Sequence, residues 1–445
     1  MKIRNVSRTV ALLKERILPA ASMVAFLPTK ISSPRPLLKC FLKWMGCSAR
    51  SNIYISLQEP LTKLCLGSHV MDTLVNQLPF GNSDNLSGLL INLISLLTFM
   101  VFVFYGGRIQ LYNNLYQIRR SLNKLDLARQ AARSKILQSV RDIGKPTESP
   151  EQRIDQLMEY SIIEPTSMDP VGIVSKLEHL LDTYEDELKS SIRTVAPQAD
   201  ETQLNNLSNL FEAAYALDIL YKVVRHFYLY GRKTKSPYII MQLQMVLPLL
   251  MESADAYSGA LTAFSEGHPI GDGAGALVAA KLIGENAQLR KIAEDTIVAE
   301  TEIEGRRAFV LKAEGPGGNV GKPGEGVKAL LEETQGKVKL VVMIDAGLKL
   351  EGEKTGEIVE GVGAAIGGPG VDKFKIEEAA SKYKIPVYAV VLKESNKEAL
   401  TQMKKEIVDA AERAIAAVKR IVTQFTADGD TVIVAGIGNT IGIRP

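Results

Sequence analysis

From Leu86 to Tyr105 the chain reads LSGLLINLISLLTFMVFVFY, twenty residues without a charge. A helix of that length rises about 30 Å, the thickness of a bilayer's hydrocarbon core. Residues 86–106 are therefore expected to form a single transmembrane helix. The pattern then turns amphipathic. Leu115, Ile118, Leu122, Leu125, Ala128 and Ala132 recur at three and four residues on an otherwise basic stretch, predicting a juxtamembrane helix over 107–145. GKPTESPEQ breaks it.

Residues 151–266 remain helical in pattern. DETQ, residues 200–203, is a capping box in which Asp200 receives a first-turn amide and Gln203 reaches back. The helix it opens is expected to stop at Gly231. A second helix follows in which Pro248 predicts a kink. Its apolar run Ile239–Met251 is too short to span a membrane and reads as a buried or oligomer face. His226, with no second histidine at ligand spacing, reads as a packed core residue. The block is expected to serve as a helical adaptor or dimerisation domain.

At Gly267 the pattern changes again, to strands alternating with helices. TIVAETEI and RRAFVLKAE flank Glu304–Gly305 as a hairpin. The helix GVKALLEETQ, the strand KLVVMIDAG, the glycine-rich TGEIVEGVGAAIGGPG, the helix KFKIEEAASKY and the strand PVYAVVL follow in turn. One long helix over 397–425 and a last strand, DTVIVAGIGNTIGI, complete the chain. The fold class is α/β: a single N-terminal transmembrane helix, a helical middle region, and a C-terminal, mostly parallel sheet sandwiched by helices over 267–445.

Charge orients the anchor. A basic flank from Arg108 to Arg141 follows it, whereas residues 71–85 hold no Lys or Arg. The positive-inside rule then puts the C-terminal domains in the cytoplasm, on a single-pass cell-membrane protein. Residues 1–70 conflict with this, carrying eleven Lys or Arg against two Glu. The conflict disappears if they are an over-extended start and synthesis begins at Met71; a targeting extension or an amphipathic membrane-surface segment is the other reading. Those residues also hold all three cysteines, so the remaining 375 offer no disulfide framework, zinc quartet or thiol nucleophile. The net charge of +3 gives no footprint for nucleic acid.

Two glycine-rich motifs fail their tests. In GPGGNVGKPGEG, Pro316 replaces the first glycine of a phosphate loop and Pro323 the magnesium-holding Ser or Thr. GIGNTIG lacks the third glycine of a dinucleotide fingerprint at 441, and no helix follows it. A third observation is more telling. HPIGDGAGALVAAKLIG, residues 268–284, is a turn and helix with no incoming strand, while TVIVAGIGN is a strand and turn with no outgoing helix. Joined in space they complement one another.

Strand, GxGN, then GDxxG and a helix resembles the start of the superfamily of hydrogenase-maturation endopeptidases and spore germination proteases, circularly permuted. That resemblance implies a phosphorylase-like α/β sandwich with a second acid at a later strand end, as in MIDAG. GAAIGGPGVDKF is similar to the segment after that acid in germination proteases, whose proposed catalytic aspartates match Asp272 and Asp345. Gly273 stands where maturation endopeptidases carry a metal-binding acid, and no histidine follows Asp345 to complete their site. From Met71 onward the chain also resembles an archaeal membrane-anchored family, domain-of-unknown-function family 1512, through RIQLYNNLYQIRRSLNKL and the ending GIGNTIG.

Two neighbouring carboxylates cannot both ionise easily, so one can act as acid while the other activates water. The expected catalytic residues are Asp272, Asp345 and Asn439, the last orienting a carbonyl or water. Gly271, Gly273, Gly436 and Gly438 are the expected ligand-binding positions, open enough for a substrate backbone, with the helix start offering amides to an oxyanion. The ordinary alternatives are a helix cap for Asp272 and a strand-end turn for Asp345. His268 could add a metal ligand beside the two acids, but two acids and one histidine make a sparse set; neither a metal nor a cofactor is expected. The expected partners are the lipid bilayer, a peptide or protein substrate, and further copies of the chain in a homo-oligomer. Two functions compete: a membrane-anchored, aspartate-dependent, peptidase-like hydrolase, and a non-enzymatic tethered binding or scaffold module that oligomerises through its helical domain.

Overall fold

The computed structural model describes residues 86–146, 149–161, 172–285, 287–367 and 370–444. The extension 1–70, the start at Met71 and the head before Leu86 lie outside the described residues. The chain divides into two units, residues 17–114 and a larger one holding residues 115–445.

Helix α1 runs from Leu86 to Ser139 and continues as a π-helical turn, Val140–Gly144. The expected anchor and juxtamembrane helix are thus one hydrogen-bonded element. Among the described residues no single helix is long and apolar enough to cross a membrane. Leu93–Met100 and Tyr105–Gly144 pass that test only as a pair, by length and composition. In the smaller unit Leu90, Ile91, Leu93, Ile94, Leu96, Leu97, Phe99 and Met100 are each 47–64% exposed.

In the larger unit the expected stripe of α1 turns inward. Ile118, Leu125 and Ala132 are fully buried. Helices α2 (Glu151–Met158), α3 (Ile173–Val195), α4 (Glu201–Thr234) and α5 (Pro237–Glu266) make up the helical domain. Arg129 of α1 donates to Asp126 at 2.8 Å and to Asp218 of α4 at 3.4 Å, and lies 4.4 Å above the Tyr221 ring. The capping box of α4 forms, the Gln203 amide donating to Asp200 and the Asp200 amide to Gln203. The helix outruns Gly231 to Thr234, because only Lys235 takes the left-handed conformation that ends it. His226 corrects the expected core residue: it is exposed, stacked on Tyr230 and edge-on to Phe227. Pro248 lies inside α5.

The remainder is built on a sheet whose central strand is the last in sequence. Helix α6 (Ala274–Ile283) precedes β1 (Leu289–Ala293), β2 (Thr296–Ile303) and β3 (Arg306–Ala313). Then come α7 (Pro323–Glu333), β4 (Leu340–Leu348), β5 (Ile358–Val362), α8 (Val371–Tyr383) and β6 (Val387–Glu394). Helices α9 (Asn396–Leu400) and α10 (Lys405–Phe425) lead to β7 (Thr431–Gly436). The strand order is β1-β2-β3-β7-β4-β6-β5. The four inner strands, β3, β7, β4 and β6, are parallel, and antiparallel pairs flank them. The sheet is mixed with a parallel core.

Strand β4 shows why the inner strands read as unbroken apolar runs. Leu340, Val342 and Ile344 pack with α6 and α10 on one face; Val341 and Met343 pack with α7 and α8 on the other. A strand covered on both sides needs apolar residues at every position. The hairpin β2–β3 turns at Glu304 and Gly305, both at positive φ. The long helix expected over 397–425 is instead α9 and α10, parted at Thr401–Lys404. Ser395 and Glu398 form a capping box that opens α9.

Candidate functional site

The break between α9 and α10 positions the acidic turn. The Gly271 amide donates to the Thr401 carbonyl and the Met403 amide to Pro269, so the segment before Asp272 is tied to an interruption in a helical stretch. The turn Gly271–Gly273 is 3-10 helical and feeds α6 directly. Strand β7 arrives from the other side, as the complementary fragments require. Gly275 of α6 sits so close to it that a Cβ would lie 2.3 Å from the carbonyl oxygens of both Ile344 and Ile437. The Asn439 amide donates to Asp272 Oδ2 at 3.2 Å across 167 residues of sequence. The strand–turn pair at the chain's end and the turn–helix pair at 268–284 thus meet at the carboxyl edge of the sheet.

Asp345, one residue from the end of the β4–β7 pairing, is 7% exposed. Its Oδ1 accepts from the Ala346 amide at 2.8 Å and its Oδ2 from the Gly367 amide at 3.2 Å. Gly367 belongs to the glycine-rich AIGG stretch, which therefore reaches the second acid. Burial, and then the neighbouring Asp272 charge, push the Asp345 carboxyl up to about 8, against the lesser pull of those two amides. Asp272 is half-buried. The charge of Asp272 is thus felt at Asp345, both acids lying at the carboxyl edge of the sheet.

A third acid was not anticipated from sequence. Glu394 ends β6, is 3% exposed, and neither of its carboxylate oxygens has a hydrogen-bond partner. Burial raises it well above the ordinary range, and the charges of Asp272, Asp345 and Glu398 push the same way. Strand parity is the signal that could have found it: Val390 and Leu392 lie in the α6–α10 core, and Glu394 is next in that alternation.

The other expected residues occupy definite places. The Asn439 side chain accepts from the Ile441 amide at 2.9 Å, so it caps its own turn and serves Asp272 through its backbone. A Cβ on Gly271 would lie 2.3 Å from Glu394 Oε2, and one on Gly273 2.6 Å from the Asn439 carbonyl. One on Gly436 would meet Ala279 and Gly275 at 2.4 Å, and one on Gly438, at φ +129, the Asp272 carbonyl at 1.9 Å. The four glycines allow protein segments to approach one another. At the helix start expected to offer amides to an oxyanion, the Ala274 amide donates to the Gly271 carbonyl. His268 pairs with Glu266 at 3.1 Å. Among the described residues no three His, Cys, Asp or Glu are grouped to hold a metal ion.

The loop of residues 315–322, part of the stretch rejected as a phosphate loop, clasps the end of the chain. Thr440 Oγ1 donates toward the carbonyls of Glu314, Gly317 and Asn319, and the Gly442 amide donates to Pro316. Asn206 and Asn209 of α4 hold the same loop at Gly318.

Fold and site together define an α/β domain, packed on a helical domain, with clustered carboxylates where its central strand meets α6. Residues 92–267 match the N-terminal domain of the proteins of unknown function DUF1512, and residues 270–444 match the C-terminal domain of unknown function (DUF1512). The chain belongs to the DUF1512 family. No curated protein and no solved structure matches it.

Proposed function

We propose that the chain is a membrane-anchored hydrolase of peptidase type, in which Asp272 and Asp345 act as an acid–base pair. The observation that carries the reading is the coupling of these two carboxyls at a seam between remote segments. Asp345 holds a proton near neutrality and can give it to a scissile carbonyl, while Asp272, the more accessible acid, activates a water molecule. The Asn439 amide fixes the orientation of Asp272. The likeness of the GxGN and GDxxG pieces to permuted endopeptidase motifs supports the same assignment. The membrane part of the reading rests on the uncharged run Leu86–Tyr105 and on the exposure of its side chains Leu90, Ile91, Leu93, Ile94, Leu96, Leu97, Phe99 and Met100.

Incubating the detergent-solubilised full-length protein with a peptide library tests the chemistry. Asp272→Asn and Asp345→Asn should each lower cleavage by about 10²-fold or more. Product profiles identical to wild type would remove the reading.

A further inference from the structure

The α4–α5 hairpin carries a surface that the acidic seam does not use. Between Asp218 and Glu252 the chain has no Asp or Glu, yet it holds Lys222, Arg225, Arg232, Lys233 and Lys235. Lys222 is engaged by Asp218 and Glu159, both at 2.7 Å. The other four are exposed, and among the described residues none of them is ion-paired. Cations in the last turn of a helix are ordinary, since they suit its negative end. The side chains around these are not. Leu229 and Tyr230 on α4, and Tyr238, Met241, Met245 and Leu249 on α5, are 37–74% exposed. The four on α5 recur at three and four residues, which sets them in one stripe opposite the buried Ile240, Leu243, Leu247 and Leu250.

Two contacts orient the hairpin within the larger unit. Arg129 of α1 reaches Asp218, which lies sixteen residues, about 24 Å, before the end of α4 at Thr234. Gln244 donates to Gln117 of α1 at 2.6 Å and lies only seven residues, about 10 Å, after the start of α5 at Pro237. The direction along α1 from Arg129 to Gln117 is therefore the direction toward the hairpin's tip. That tip and the point where α1 enters the larger unit lie at the same end of it. In sequence, residues 106–114 alone separate that point from the uncharged run. We propose that the tip of the α4–α5 hairpin rests on an anionic lipid surface, with Arg232, Lys233 and Lys235 at the headgroups and Tyr230, Tyr238 and Met241 at their boundary with the acyl chains. The proposal rests on the membrane part of the proposed function and adds a second contact to it. Basic, aromatic and aliphatic side chains mixed without acids suit that boundary. A second copy of the chain suits it less, because a two-fold contact would set the cations against one another. Such a contact is weak alone and gains its strength from an anchor that holds the tip at the surface.

Full-length protein reconstituted into vesicles that carry a diazirine-bearing phospholipid tests the contact, with the labelled residues mapped by mass spectrometry. In vesicles of phosphatidylcholine with phosphatidylglycerol, residues 229–245 should take up label about tenfold or more above their level in phosphatidylcholine alone. High salt should reduce that label, and so should the combined variant Arg232→Glu, Lys233→Glu, Lys235→Glu, whose changes all fall on exposed positions. The run 86–105 should be labelled equally throughout. Label confined to that run, or label on the hairpin indifferent to lipid charge, would overturn the proposal. Cross-links from Lys235 of one copy to Lys235 of another, in place of lipid label, would overturn it too and assign the face to an oligomer. Should the variant fail to fold, the comparison of the two lipid mixtures in the wild type still decides. The anchor is judged separately: label on the hairpin without label on 86–105 removes the anchor and leaves the surface contact.

Discussion

Asp345 is where the energetics of the site can be read most directly. An unfolded aspartate titrates near ~3.9, whereas in the folded chain burial and Asp272 move Asp345 to about 8. Between those values the folded state holds a proton that the unfolded state has lost. Stability contributed by this group is thus complete below the lower value and falls as pH rises toward the upper one, by up to about 1.4 kcal/mol per pH unit. Glu394, raised in the same direction, steepens the fall. Lys312 acts in the next window. It is fully buried on β3, its ammonium donating only to the Ala313 carbonyl, and burial lowers it to about 8 with a small opposing effect of Glu314. Its contribution is present above the ordinary lysine value and is lost as pH falls toward 8. Thermal unfolding followed from pH 5 to 10 should therefore show a stability minimum near pH 8. Asp345→Asn should flatten the acid limb and leave the alkaline limb in place. A flat wild-type profile between pH 5 and 8 would contradict the electrostatics of the site.

At the scale of elements, the contact between α6 and the ends of β4 and β7 makes the site, and it depends on one glycine. A Cβ at Gly275 meets two carbonyl oxygens that neither strand can withdraw, since Ile344 accepts from the Ile437 amide at 2.8 Å. Gly275→Ala should force α6 away from the sheet and cost about 3 kcal/mol, measured by denaturant unfolding. Gly361→Ala on edge strand β5, where a Cβ meets nothing, serves as the near-neutral control. A cost for Gly275→Ala no larger than the control's would mean that the seam is not tightly packed. This junction was legible in sequence because each half lacked its complement, and an orphan strand and an orphan helix constrain one another. The inner strands and the β2–β3 hairpin were legible for the same kind of local reason, unbroken apolar runs and a turn dipeptide. The interruption at Thr401–Lys404 was not. TQMK contains no proline or glycine, and the break comes from tertiary bonds to Pro269 and Gly271 that no local rule contains. Edge strands β1 and β5 escaped because their residues are mostly exposed and carry little periodicity. Glu394 escaped because a lysine–glutamate pair before a capping serine looks like an ordinary strand end.

At the scale of the whole molecule, two kinds of apolar surface are treated differently. In the larger unit the stripe of α1 is covered, Ile118, Leu125 and Ala132 losing all contact with solvent against the helical domain. In the smaller unit Leu90, Ile91, Leu93, Ile94, Leu96, Leu97, Phe99 and Met100 keep about half their surface or more uncovered. Water around eight such side chains would carry a penalty of roughly 1 kcal/mol or more for each, given about 25 cal/mol per Å² of apolar surface, whereas lipid removes it. In the larger unit the sheet is covered on both faces, and its last strand is held by Thr440 and the 315–322 loop. The exposed run and the larger unit should therefore be separable. In liposome flotation the full-length chain should rise with the vesicles and resist high salt and alkaline carbonate. A variant lacking residues 86–105 should stay at the bottom of the gradient while retaining the cooperative unfolding and stability minimum of the parent. Flotation of that variant at high salt would locate the membrane affinity in the larger unit. A full-length chain released by carbonate would place the exposed run against protein instead, as a contact between copies.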